Sequence, residues 1–144
     1  MSAAEIYDRD FYEWTLRNAE LLRSGKASEA DLDHIAEEIE DMGKRERREL
    51  VSRLGVLIGH LLKWQAQPDR GTRSWEAAIR LQREEIADLP DEMPSLRRYL
   101  EGNLAKAYRH GVIAASTETR LPIEDFLSTS PFSLDVLLDP DFLP

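Results

Sequence analysis

Arg53 and His60 stand seven residues apart. On a helix that spacing puts them on one face two turns apart, because seven steps of about 100° fall only about 20° short of two full turns. An imidazole that exchanges a proton near neutral pH, beside a guanidinium that can hold a phosphate, is the smallest kit for cleaving RNA without a metal. The plainer expectation for the same residues is a buried polar network around His60 and an ion pair between Arg53 and an acid such as Glu49. A second group is His34, Glu37, Glu38 and Asp41. His34 with Glu38, and Glu37 with Asp41, are helical neighbours four apart, with the imidazole and carboxylates a divalent cation accepts. Their plainer use is pairing with Lys44, Arg45 and Arg47 or with a partner subunit. A di-iron bundle would need Glu-x-x-His twice, and the third residue before His60 and before His110 is Leu57 and Ala107. Lys63, Trp64, Gln67, Arg70, Arg73 and Trp75 gather around a turn, where cations beside indoles could hold an anion or stack a base. Tryptophans at helix ends also staple bundle corners while basic side chains run past them.

Several chemistries are closed. The chain has no cysteine, which removes disulfides, thiolate metal sites and cysteine nucleophiles. It has no Gly-rich phosphate loop and no Gly-x-Ser-x-Gly elbow. No cofactor is implied. The first residues are acidic and aromatic where a secretory leader would be basic and then apolar, and Leu54 to Leu62, interrupted by His60, is too short to cross a bilayer. A cytoplasmic protein without a membrane partner is the expectation. Charge falls in blocks: 12 acids against 4 bases over residues 1–43, 4 against 10 over 44–83, and 12 against 5 over 84–144. A basic island between acidic flanks suits internal or intersubunit neutralisation better than nucleic acid, which remains a weaker alternative.

The elements that must hold these residues are helices. No run of alternating β-branched residues between tight turns occurs, whereas apolar residues recur at three and four throughout. Phe11, Trp14, Asn18, Leu21 and Leu22 predict a first helix from Asp8 or Asp10 to Arg23. Ser28 is the expected cap of a second, whose apolar register runs from Leu32 through Ile35, Ile39, Met42, Leu50, Leu54, Leu57 and Leu61 to Trp64, ending before Pro68. The 38 residues from Ala30 to Gln67 would span about 57 Å, too long for a compact domain of this size. A bend or break is therefore expected near Gly43. Leu50 to Trp64 is apolar nearly all round, as in a central or intersubunit helix. A third helix, capped by Thr72 or Ser74, is expected to close at Pro90, and a fourth to run from Pro94 or Ser95 to Arg120. The tail from Pro122 to Pro144 has four prolines but is too apolar to lie free, so it should pack on the bundle with a short helix from Ser133 to Leu138. The fold class is all-α: a four-helix bundle in a single domain, residues 1–144.

Tyr7-Asp8-x-Asp10-Phe11-x-x-Trp14, Ile35 to Gly43, His60-Leu61-Leu62-Lys63-Trp64-Gln65-x-Gln67-Pro68, Arg73-Ser74-Trp75 and Leu138-Asp139-Pro140-x-Phe142-Leu143-Pro144 together resemble the bacterial "domain of unknown function 29" family across essentially the whole chain. The resemblance implies an all-helical bacterial protein and no established activity. The Arg53 and His60 spacing is also similar to the arginine-to-histidine motif of HEPN ribonucleases, helical proteins that pair such motifs across a dimer.

The leading expectation is a non-catalytic helical binding or interaction protein, homodimeric or paired with another protein. A metal-independent ribonuclease or toxin-system component using Arg53 and His60 is the alternative, with divalent-metal binding at His34, Glu37, Glu38 and Asp41 behind it.

Overall fold

Asp10 accepts a hydrogen bond from the Glu13 amide at 3.1 Å and starts the first helix, α1 (Phe11–Arg23). Its end is chemical too: Gly25 takes a φ of 75°, which glycine reaches without a Cβ clash, and the Lys26 amide turns back onto the Leu21 carbonyl at 2.8 Å. In a computed structural model the protein is all-helical, with 73% of residues in helix and six α-helices, and no strand occurs among the described residues. The structure describes the backbone of residues 1–144 and every side chain except those of residues 87–92. The helices are α1, α2 (Leu32–Ala66), α3 (Arg73–Glu92), α4 (Pro94–Gly102), α5 (Leu104–Thr119) and α6 (Leu134–Leu138). Among the described residues no helix is long and apolar enough to cross a membrane. The third helix, expected to close at Pro90, runs on to Glu92.

Three further boundaries differ from the sequence expectation. Ser28 does not cap α2; it lies in a short 3-10 turn (Ala27–Glu29), and Asp31 takes the cap by accepting from the His34 amide at 3.4 Å. The second helix is not broken near Gly43. It is hydrogen-bonded without interruption from Leu32 to Ala66, and residues 41–49 are exposed. Acid-before-base pairs four apart, Glu40 with Lys44 and Asp41 with Arg45, support a solvated helix there by about 0.2–0.5 kcal/mol each. The fourth helix is interrupted instead. Asn103 leaves helical geometry, its side-chain amide donates to the Tyr99 carbonyl at 2.9 Å, and α5 begins anew at Leu104.

The contacts group into two compact units, Met1–Arg45 and Glu46–Pro144. The first has a small core of Ala3, Ile6 and Trp14. The second has a continuous one: Leu50, Leu54, Leu57, Ile58 and Leu61 of α2 are sealed among Ile79, Ile86, Leu100, Ala107, Ala115 and Leu137. The segment from Leu50 to Leu62 is thus central to its own unit. Small residues let α5 come close to it: a Cβ added at Gly111 would lie 2.6 Å from Ile58 Cγ2 and 3.0 Å from the Gly59 backbone nitrogen. After α5 the chain is held by side chains. Tyr108 donates to the Leu127 carbonyl at 2.7 Å, Ser133 caps α6, and Arg83 donates to the Leu137 carbonyl at 2.8 Å.

Candidate functional site

The densest polar cluster of the first unit is built on the capping residue of α2. Asp31 is buried, and its Oδ2 accepts from Trp14 Nε1 at 2.9 Å and from His34 Nδ1 at 2.5 Å. Asn18 completes the cage: its Oδ1 accepts from the Asp31 amide at 2.8 Å and its amide donates to the Trp14 carbonyl at 2.9 Å. Tyr7 lies flat on the His34 ring, centroids 3.8 Å apart and planes 8° from parallel, and its hydroxyl donates to Glu38 Oε1 at 2.5 Å. Burial pushes the Asp31 carboxyl up, but hydrogen bonds from Trp14 and His34 outweigh it and hold the group below its ordinary value. The same bond raises His34, with burial opposing. The Tyr7 hydroxyl is pushed up to about 12, chiefly by its hydrogen bond to Glu38.

A histidine whose Nδ1 is committed to a buried carboxylate and whose ring is covered by a phenol works as a fastener, because that nitrogen is not free to take up a substrate proton or a metal. Of the residues singled out for a cation, His34 turns to Asp31, Glu38 receives Tyr7, and Glu37 and Asp41 are exposed. Among the described residues no three histidine, aspartate or glutamate side chains converge as a metal site. Spacing alone pointed His34 four residues forward to Glu38, whereas its partner is three residues back, at the cap. Tyr7, Trp14, Asn18 and Asp31 were not among the sequence candidates. The signal that could have found Asp31 is an aspartate directly before an apolar helical register, with a histidine three residues on.

In the second unit Arg53 bonds Glu49 at 2.7 Å and also pairs with Glu85, so its charge is met twice within the chain. His60 is half-buried, and its Nδ1 has no partner among the described residues. Burial, reinforced by Lys63 and opposed by Glu118, lowers its pKa below the ordinary 6.5. Lys63 itself is 4% exposed and is paired with Glu118. Its ammonium stands 5.0 Å from the centre of the Trp75 ring, and Trp64 lies 6.5 Å from Trp75. The structure therefore brings Lys63, Trp64 and Trp75 together with Glu118, a carboxylate 55 residues away in sequence. Arg70 and Arg73 are exposed.

Two further features lay outside the sequence candidates. A groove of about 500 Å³ runs between α5 and the following chain, lined by Val112, Ile113, Ile123, Phe126 and Leu127 with Tyr108 at its base. Arg83 is 4% exposed, with its Nη2 unpartnered among the described residues and its guanidinium 6.0 Å from the Phe142 ring. Burial lowers its pKa, and nearby Asp139 opposes that.

Leu32, Ile39 and Met42 are 52%, 63% and 62% exposed on the first turns of α2. No curated protein and no solved structure matches the chain. The family model described as "Domain of unknown function DUF29" matches residues 6–143. Nearly the whole chain lies within that match, the all-helical fold fits the resemblance, and the protein belongs to the DUF29 family, whose function is unknown.

Proposed function

We propose that this protein is a non-catalytic interaction module of the bacterial cytoplasm, a helical bundle that works as a homodimer. The observation that carries the reading is the seam on the first half of α2. Leu32, Ile35, Ile39 and Met42 follow one another at intervals of three, four and three, the spacing of a two-helix seam. Leu32, Ile39 and Met42 are exposed, whereas the continuation of the same register from Leu50 onward is buried. The apolar Leu50 to Leu62 stretch that first suggested a subunit interface is satisfied inside its own unit, so the dimer reading rests on the earlier turns. Light scattering and sedimentation test it. The expected result is a dimer at micromolar concentration that Ile39→Glu with Met42→Glu converts to a helical monomer; a wild-type monomer at high concentration would overturn the proposal.

A second reading is favoured by one observation, the half-buried ring of His60, whose Nδ1 has no partner among the described residues. Metal-independent RNA cleavage by Arg53 and His60 predicts activity in chelator that His60→Ala abolishes. Equal rates for the two proteins would remove it.

A further inference from the structure

We infer that the groove beside α5 binds a neutral, largely hydrocarbon small molecule. The groove lies wholly within the unit Glu46–Pro144, so the inference stands apart from the dimer reading, which rests on Leu32 to Met42. Two walls build it. α5 supplies Tyr108, Arg109, Val112 and Ile113, whose spacings of three and four put them on one side of the helix. The chain after α5 supplies Ile123 to Ser128. That second wall is in place before any ligand arrives. Ser116 donates to the Leu121 carbonyl at 2.6 Å and Tyr108 to the Leu127 carbonyl at 2.7 Å, and a 3-10 turn (Ile123–Asp125) folds the chain between these two pins. Phe126 packs against the core. A wall already ordered does not charge its ordering to binding.

Ile113, Ile123 and Leu127 are each more than half exposed. Apolar residues scattered singly over a surface are ordinary. These three share one concavity with Val112 and Phe126, and an apolar patch gathered in this way marks a contact site. Its dimensions suit a small molecule better than a helix. Along α5 the lining runs from Tyr108 to Ile113, a rise of about 7.5 Å, whereas the anchors of a docked helix, from i to i+7, need about 10.5 Å. The volume is about 500 Å³, inside the range of roughly 300–1,000 Å³ of small-molecule sites.

Charge narrows the class of ligand. The lining holds one cation, Arg109 on α5, and one anion, Glu124 on the other wall. A carboxylate drawn to Arg109 therefore meets Glu124 as well, and an ammonium drawn to Glu124 meets Arg109. The Tyr108 hydroxyl proton is committed to Leu127, so the base of the groove presents a ring and no free donor. What the walls offer is apolar area without a net ionic anchor, which matches an uncharged hydrocarbon body.

Nile red, an uncharged dye that brightens in apolar surroundings, is the probe. It is titrated into the full-length protein and into the Ile39→Glu, Met42→Glu double variant, which lacks the exposed apolar residues of α2. A saturable site per chain with a micromolar Kd is expected in both. Ile113→Gln with Leu127→Gln, both at exposed positions, should keep the helix content and unfolding midpoint and weaken binding about tenfold. Leu81→Gln, an equally exposed leucine outside the groove, should leave it within about twofold. Displacement by decanol, decanoate and decylamine, one chain with a neutral, an anionic or a cationic head, reads the class: the alcohol should compete at least as well as either ion. Absent binding, or binding that the groove variant leaves unchanged, overturns the site. An ion that competes better than the alcohol overturns the neutral class. A groove variant that changes the oligomeric state in light scattering assigns the groove to a second copy and overturns the proposal as well.

Discussion

The same substitution on opposite sides of one helix crossing should change stability in opposite directions. Gly59 of α2 and Gly111 of α5 face each other where the two helices pack. An alanine at Gly59 would place its Cβ 3.4 Å from the Gly111 carbonyl oxygen, 3.5 Å from Ala114 Cβ and 3.7 Å from Gly111 Cα, all ordinary contacts. An alanine at Gly111 would sit 2.6 Å from Ile58 Cγ2, 2.9 Å from Ile58 Cβ and 3.0 Å from the Gly59 nitrogen. Carbon atoms rest about 3.5–4.0 Å apart, and Ile58 Cβ and the Gly59 nitrogen are fixed to the backbone of α2. No side-chain rotation relieves the overlap, so the helices must separate.

Both variants gain the propensity of alanine over glycine in a helix, about 0.8–1.0 kcal/mol. Gly59→Ala keeps most of that gain and should be more stable by about 0.5–1 kcal/mol. Gly111→Ala sets the same gain against an overpacking cost of about 1–3 kcal/mol, and the closeness of the backbone contact places it toward the upper end. The net is a loss of about 1–2 kcal/mol. Urea unfolding followed by circular dichroism measures both, and with a slope of about 1–3 kcal/mol per molar the two midpoints should differ by about 1 M. Equal midpoints, or a Gly59→Ala protein less stable than Gly111→Ala, would refute the account of why these glycines are there.

In an NMR titration the His34 ring should change charge above 6.5 and the His60 ring below it, with Asp31→Asn bringing His34 down; a His34 midpoint that ignores Asp31 would contradict the fastener. The sign for stability follows: Asp31, held low, contributes above its ordinary 3.8 and is lost in acid, while His34, held high, contributes below 6.5 and is lost as pH rises through its raised value. The Tyr7 to Trp14 region should therefore be most resistant to urea between those values. For the buried ammonium, Glu118→Ala should cost about 1–3 kcal/mol because it leaves Lys63 without its carboxylate, whereas Lys63→Met should change stability by less than about 1 kcal/mol. The reverse order in thermal or urea unfolding would mean that the pair is held by something other than this bond.

How much of this was legible in the sequence divides by the range of the interaction. Helix identity was readable because each apolar register is written within one element, and so was the Arg53 contact with Glu49, four residues away. Glu85, which completes that pairing, and Glu118, which takes Lys63, come from other helices, and no spacing within α2 points to them. Near Gly43, where a bend or break was expected, the helix is not broken, for a different reason. That expectation came from the size of a compact domain, whereas a stretch rich in Glu, Asp, Lys and Arg can stay helical in water without packing on anything. Asn103 did interrupt a helix, because its amide competes for a backbone carbonyl within its own turn while the apolar period runs on undisturbed. His34 shows the same blindness inside the site: surface pairing rules place its partner four residues on, but a buried cap three residues back offers a desolvated carboxylate already held by Trp14. What the sequence shows of Leu32, Ile39 and Met42 is their spacing and not their exposure: the same helical period continues into the buried Leu50, Leu54 and Leu57, and only the fold separates the covered half from the half that is open to water.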